Sequence, residues 1–260
     1  MHPHPRKKEK DCKSRRLYGW HPIREHLRAR PQHVLELYLL PSLKGSALEA
    51  LARQAHVPVR YETPAFFEDF TNGGVHQGAA ARLQPFPYVL LPDLLAQEGE
   101  LLLVLDGLVD PRNLGALLRT AEGAGVAGVV ITESRSAPLS AVAEKTATGA
   151  TAYLPITRVE NLARALSTIR ERGYWIVGLV QDAQQSLYEL QLSHKIALVL
   201  GGEEKGLRQL TRQMCDCTVS LPMLGQVESL NVSAAGAIAL YEFLRRRIPQ
   251  RGGKNRTPEK

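Results

Sequence analysis

LLLVLDGLVDPRNLGALLRTAEGAGVAGVVIT (101–132) decides the fold class. Five unbroken apolar residues lead into Asp106. An Asp-Pro turn follows at Asp110–Pro111, a helix-length segment runs across about 114–124, and GVVIT (128–132) returns as a second apolar run. A strand without polar alternation has both faces buried, which is the pattern of a parallel sheet covered by helices on each side. The unit repeats downstream. A helix is expected around 138–147, with Pro138 suiting its first turn. RVENLARALSTIRER (158–172) sets Val159, Leu162, Ala163, Leu166 and Ile169 on one helical face. YWIVGLV (174–180) and KIALVL (195–200) read as buried strands, and a last helix runs from about 232 to 247. Strands alternating with helices predict an α/β domain over 101–248.

Upstream, VLELYLL (34–40) and VPVRYE (57–62) read as strands flanking a helix over 46–56, whose Leu48, Leu51, Ala52 and Ala55 share a face. This βαβ-like unit predicts a second, smaller α/β domain at 17–83. QPFPYVLLPDLLAQEGE (84–100) holds three prolines and turns acidic, so it reads as a linker. Residues 1–16 and 249–260 read as basic tails.

Composition bounds the rest. The 260 residues are 44% hydrophobic and 23% charged, which excludes disordered, collagen-like and coiled-coil chains. No apolar run reaches the ~18–20 residues that span a bilayer, and MHPHPRKKEK at the start is too polar for a signal peptide. Three cysteines (Cys12, Cys215, Cys217) make no disulfide framework, and the C-x-C pair lacks a second ligand pair at zinc spacing. A cytoplasmic protein without membrane or metal is expected. The net charge of +7 is unevenly placed. Residues 1–16 carry seven Lys/Arg against Glu9 and Asp11, and residues 245–260 carry seven against Glu259, leaving 17–244 at −4. Basic ends suggest a polyanionic partner or serve solubility alone.

Four motifs carry chemistry or its appearance. Gly123, Gly125 and Gly128 fit G-x-G-x-x-G, but the string ends a helix and precedes a strand. That is the reverse of the dinucleotide-binding context, and a helix C-cap explains it. In 105–125, Asn113, Gly115 and Arg119 allow two readings. Asn113 caps the helix while Gly115 packs and Arg119 faces solvent, or an Asn amide and an Arg fork at the end of a parallel strand hold a ribose–phosphate segment. In LVLGGEEKGL (198–207), Gly201 and Gly202 let a ligand near the backbone, and Glu203 with Glu204 favours a cationic or hydroxylated ligand over a phosphate; a solvated turn accounts for the same residues. In TVSLPMLGQVESLNVSAAGAIALYEFL (218–244), a short strand reaches Pro222 and Ser229-Leu230-Asn231 lead into a helix rich in small residues. Either Ser229 is simply its cap and the small residues tight core, or the segment completes a site.

In this order, DPRNLGALLRTAEGAG, LVLGGEEKG and LPMLGQVESLNVSAAGAIALYE resemble the three motifs of the SpoU (TrmH-like) family of SPOUT RNA ribose methyltransferases. YGWHPI (18–23), VHQG (75–78), RSAPLSAVAEKTATGA (135–150) and NLARAL (161–166) extend the likeness toward a branch that methylates a guanosine 2′-hydroxyl in the peptidyl-transferase region of 23S rRNA. The resemblance implies an L30e-like RNA-binding domain at 17–83 and, at 101–248, a SPOUT α/β domain with a deep trefoil knot. It implies S-adenosylmethionine, without metal, held near Gly201, Gly202, Leu221, Met223 and Leu230. Asn113, Arg119, Glu203, Ser229 and Asn231 would form the active site of a homodimer acting on 23S rRNA. A tRNA ribose or antibiotic-resistance rRNA adenosine methyltransferase of the same family is the neighbouring alternative. An RNA-binding ribosome-assembly protein without catalysis is the non-enzymatic one, although Asn113 and Arg119 are both retained.

Overall fold

A computed structural model describes residues 14–134, 136–191, 195–203, 205–227 and 229–248. Most of both expected tails, together with Arg135 and Glu204, lies outside the described residues.

The first part of the chain comprises β1 (Arg15–Tyr18), α1 (Trp20–Ala29), β2 (Val34–Leu39), α2 (Ala47–Gln54), β3 (Val59–Tyr61), α3 (Pro64–Thr71) and β4 (Ala79–Leu83). Its sheet has the order β1-β4-β2-β3. β2, α2 and β3 form the parallel βαβ unit that the sequence predicts, with Leu37 opposite Val59. β4 inserts antiparallel to both β1 and β2. Leu17, Leu37, Leu39, Ala79 and Ala81 face a core shared with Leu48 and Ala52 of α2. Tyr18, Tyr38 and Ala80 on the opposite face pack with the aromatics of α3.

The second part comprises α4 (Leu91–Ala96), β5 (Leu101–Asp106), α5 (Pro111–Gly123), β6 (Gly128–Thr132), α6 (Ala141–Thr146), β7 (Ile156–Val159), α7 (Leu162–Glu171), β8 (Trp175–Leu179), β9 (Ile196–Gly201), α8 (Gln209–Gln213), β10 (Cys217–Val219) and α9 (Val232–Arg247). Six strands form one sheet in the order β10-β8-β9-β5-β6-β7, and every pairing is parallel. β5 explains its own apolar run. Leu101, Leu103 and Leu105 enter a core with Leu114, Leu117 and Phe243, while Leu102 and Val104 enter a second core with Leu94, Leu166 and Ile169. Both faces are buried, so no polar alternation is possible. β6 and β7 lie on one side of β5, and β9, β8 and β10 on the other. The carboxyl ends of β5 and β9, where Asp106 pairs with Gly201, therefore form a topological switch point, where sheets of this kind open a ligand crevice.

Several local expectations change. Arg15 and Arg16, counted with the basic tail, are the first half of β1. The proline-rich 84–100 segment carries α4, whose Leu94 and Leu95 are buried, with Pro92 in the first turn where its missing N–H costs little. α6 starts at Ala141 behind a Ser140 cap, so Pro138 precedes the helix. The glycine string is the C-cap its context suggested. Gly125 has φ +68°, its N–H reaches the Glu122 carbonyl (3.0 Å), and Val126 N–H reaches the Ala121 carbonyl (2.9 Å), a Schellman arrangement. Among the described residues no helix is long and apolar enough to cross a membrane.

Candidate active site

Loops 202–208 after β9 and 220–231 after β10 line a cavity of about 580 Å³, with the end of β8 (Leu179 to Asp182) as its third wall. Gly201, Gly202, Leu221, Met223 and Leu230 all border it, as do Glu203, Ser229 and Asn231. The two glycines are bare for a reason other than ligand approach. A Cβ on Gly201 would fall 2.0 Å from the Gly206 carbonyl carbon, and one on Gly202 would fall 2.6 Å from the Gly107 oxygen. On that side the protein's own loops fill the space. Gly206 closes the turn with φ +58° and an N–H donated to the Gly202 carbonyl (3.0 Å).

Glu203 is aimed at the start of α5. Its carboxylate accepts the Val109 and Asp110 backbone N–H groups (3.3 Å each) and Asn113 Nδ2 (2.9 Å), at the positive end of that helix. Asn113 is not the cap. Asp110 takes that role, accepting Arg112 N–H at 2.7 Å, and Asn113 is buried inside the first turn. The Asn113 carbonyl oxygen accepts Asn231 Nδ2 (3.1 Å). Asn231, and not Ser229, caps α9 by accepting Ser233 N–H (2.9 Å). Both ends of the Asn113 amide are thus committed, and one side chain ties the loops of all three motifs together. Ser229 is exposed at the cavity wall.

Arg119 stands apart. Six residues beyond Asn113, it lies on the exposed face of α5, outside the cavity wall, with Nη1 donating to Thr148 Oγ1 (3.4 Å).

Sequence reasoning passes over two supports. Asp106, 1% exposed at the end of β5, accepts the backbone N–H (3.1 Å) and Nε (2.6 Å) of Arg208, fixing the far side of the 202–208 turn. Its signal was available: one carboxylate closing a run of five apolar residues. Asp182 and Arg212, both on the cavity wall, pair at 2.9 Å, and this bond holds the Asp182 carboxyl below its ordinary pKa. Burial instead pushes the Cys215 thiol up to about 12 and that of Cys217 to about 11, so neither is a thiolate nucleophile at neutral pH.

In chemical terms the cavity joins apolar walls (Leu221, Leu230, Val232) to two carboxylates (Asp182, Glu203), two cations (Lys205, Arg212) and neutral polar groups (Ser229, Asn231). Its volume suits a nucleoside-sized ligand, and its charges are balanced, Asp182 being paired with Arg212 and Glu203 held by the N–H groups at the start of α5.

Comparison with known proteins follows the same division of the chain. A family model described as the SpoU rRNA Methylase family matches residues 100–241, and one described as RNA 2'-O ribose methyltransferase substrate binding matches 16–89. The chain is 42% identical over 238 residues to the 23S rRNA (guanosine-2'-O-)-methyltransferase RlmB of Photorhabdus laumondii, covering 89% of this chain and 98% of that protein. It is 40% identical over 242 residues to RlmB of Escherichia coli K12, covering 90% and 99%. In fold it is similar to the SpoU methyltransferase AviRb of Streptomyces viridochromogenes, solved with AdoMet, with a TM-score of 0.78 and 23% identity over 94% of each chain.

Proposed function

The chain belongs to the SpoU rRNA methylase family, and from that premise we propose that it methylates the ribose 2′-hydroxyl of a guanosine in 23S rRNA, with S-adenosylmethionine as donor. The peptidyl-transferase region is its target and the cytoplasm its place of work. One observation carries the reading: the Glu203–Asn113–Asn231 chain of hydrogen bonds knits three distant loops beside one cavity. The similarity to RlmB proteins, over 89% and 90% of this chain, supports the rRNA guanosine over a tRNA ribose.

Gly201, Gly202, Leu221, Met223 and Leu230 would hold the donor, against the apolar walls of the cavity. When bound, S-adenosylmethionine supplies an electrophilic methyl group on a positively charged sulfur. This chain's own part is to bring a ribose hydroxyl to the cavity mouth and ease the loss of its proton, and alignment supplies much of the rate. Arg119 acts here as a phosphate clamp. A guanidinium stays protonated in proteins, so it is a poor base, but its charge beside the ribose lowers the hydroxyl pKa. Glu203 orients Asn113 and Asn231, and Ser229 contacts the substrate side of the cavity.

In this reading residues 17–83 form an L30e-like RNA-binding domain, and the second sheet carries a trefoil knot. What supports the knot is the route of 220–231: the chain leaves the sheet edge at β10 and returns to the centre, where α9 packs over α5 and β9. A homodimer is supported by α9 itself. One face enters the core through Gly236, Ala239, Leu240 and Phe243, while Ile238 and Tyr241 leave apolar surface on another.

The test is methyl transfer from labelled S-adenosylmethionine to 23S rRNA isolated from cells without this activity. The expected product is one 2′-O-methylguanosine per rRNA, located by mass mapping. Label in tRNA, in an adenosine, or in no RNA at all would overturn the assignment.

A further inference from the structure

Four non-glycine residues among those described have left-handed backbone: His56, Asn72, Gln77 and Thr148. Thr148, with φ +54°, is the one branched at Cβ, the side-chain type least tolerant of that region. It follows the last turn of α6 and precedes Gly149, φ +97°, where a Cβ would collide with the Glu25 side chain. Glycine at 149 therefore answers a steric demand. At 148 a glycine or asparagine would fit the backbone with less strain, so the threonine calls for another explanation.

Its hydroxyl supplies one. Thr148 Oγ1 donates to the Thr146 carbonyl (3.2 Å), which commits its proton and leaves lone pairs for Arg119 Nη1 at 3.4 Å. This is the one hydrogen bond of Arg119 among the described residues, and no carboxylate there forms an ion pair with it. Arg15, Arg53, Arg60 and Arg208 all rest on carboxylates. A neutral acceptor orients a guanidinium without cancelling its charge.

The placement comes from helix packing. Gly115, one helical turn before Arg119 and on the same side of α5, admits the backbone of α6 so closely that a Cβ would stand 2.4 Å from the Ala143 oxygen. The contact fixes the end of α6, and hence Thr148, beneath the arginine.

We propose that Thr148 is a positioning residue: a strained turn presents its hydroxyl so that Arg119 is held in a phosphate-ready orientation with its charge intact. The inference rests on the reading of Arg119 as a phosphate clamp. Three variants of the full chain test it under saturating rRNA. Thr148→Val keeps the branched shape and loses the hydroxyl; kcat is expected to fall about tenfold, as for one lost hydrogen bond to a charged group, with KM for S-adenosylmethionine unchanged. Thr148→Ser keeps the hydroxyl and stays within about twofold of the parent. Thr148→Gly relaxes the backbone, so it melts at or above the parent temperature, yet loses kcat as the valine variant does. Parent-like kcat in Thr148→Val, or equal losses in the serine and valine variants, would overturn the proposal. Arg119→Ala separates the two levels. If that variant methylates at the parent rate, the clamp itself fails; if it is inactive while Thr148→Val and Thr148→Gly are fully active, only the role of Thr148 fails.

Discussion

Asn113 and Glu203 lie 90 residues apart in sequence and 2.9 Å apart in space. The amide is matched at both ends, donating to a carboxylate and accepting from Asn231. Replacing Asn113 by Asp keeps the shape and sets two carboxylates in contact. Buried mismatches of this kind cost about 2 kcal/mol, or roughly 5 °C in melting temperature for a chain of this size. Asn113→Asp should therefore melt below Asn113→Ala, and the double variant Asn113→Asp/Glu203→Gln, which restores that donor–acceptor pair but takes away the oxygen that also accepts the Asp110 N–H, should recover part of the loss by scanning calorimetry. Melting of Asn113→Asp at the parent temperature would show that this bond holds nothing together. The polar positions of the three motifs were legible because each follows an apolar strand, where a polar residue is conspicuous. Two things were hidden. A cap and a buried amide look alike three residues apart, and only the observed bond to Asp110 separates them. Thr148 was invisible because nothing in KTATGA tells which residue turns left-handed.

Helices and strands with a strong period were readable, and those defined by their neighbours were not. α7 keeps Leu162, Leu166 and Ile169 at helical spacing but begins at Leu162, because Val159, counted on the same face, closes β7; α9 keeps its expected bounds of 232–247. β4, of sequence AAARL, and the four-residue β1 take their strand character from pairing with each other, which no local pattern announces. α3 begins with adjacent phenylalanines that blur its period, although Thr63 and Pro64 mark its start. Helix–helix contacts yield a prediction with opposite signs at two glycines. Gly115 faces backbone, the Ala143 oxygen and Ala147 nitrogen, which cannot withdraw; Gly236 faces the ends of the Leu117 and Leu200 side chains, which can. Alanine gains about 1 kcal/mol of helix propensity at either site. Gly115→Ala is still expected to lose about 2 kcal/mol net through overpacking. Gly236→Ala should lie within about 1 kcal/mol of the parent in urea titration, its strain offset by propensity. Equal losses at the two sites would refute the distinction.

Across the whole molecule the two sheets are joined by paired polar side chains. Arg15 of β1 meets Glu144 of α6, and Tyr153 donates to Glu25 of α1 (2.7 Å). Burial raises the Glu144 pKa to about 7 despite Arg15, so the native state retains a proton that the unfolded chain releases near 4.5. Its contribution to stability is full below pH 4.5 and is lost as pH rises through 7. Buried His26 has the opposite sign: its pKa falls to about 4, and its contribution is present above 6.5 and lost as pH drops through 4. Between pH 4.5 and 6.5 the two oppose each other at up to about 1.4 kcal/mol per pH unit each. A pH series of melting curves should find that Glu144→Gln steepens acid destabilisation in that window relative to the parent; an unchanged slope would mean that Glu144 titrates normally. Charge is also redistributed relative to the sequence pattern. Arg245 and Arg246 bind Glu242, Arg246 also reaches the Leu187, Tyr188 and Leu190 carbonyls, and Arg247 binds the Glu100 carbonyl. Residues 14–248 therefore carry a net charge of only +1, with +3 in each of 1–13 and 249–260. The insertion of β9 between β5 and β8 has a consequence in time. As the chain emerges during synthesis, the first sheet can close once residue 83 is out, but β5 must wait for its central partner and Asn113 for Asn231. A protein proposed to mark ribosomal RNA is thus silent until nearly all of it has left the ribosome that makes it.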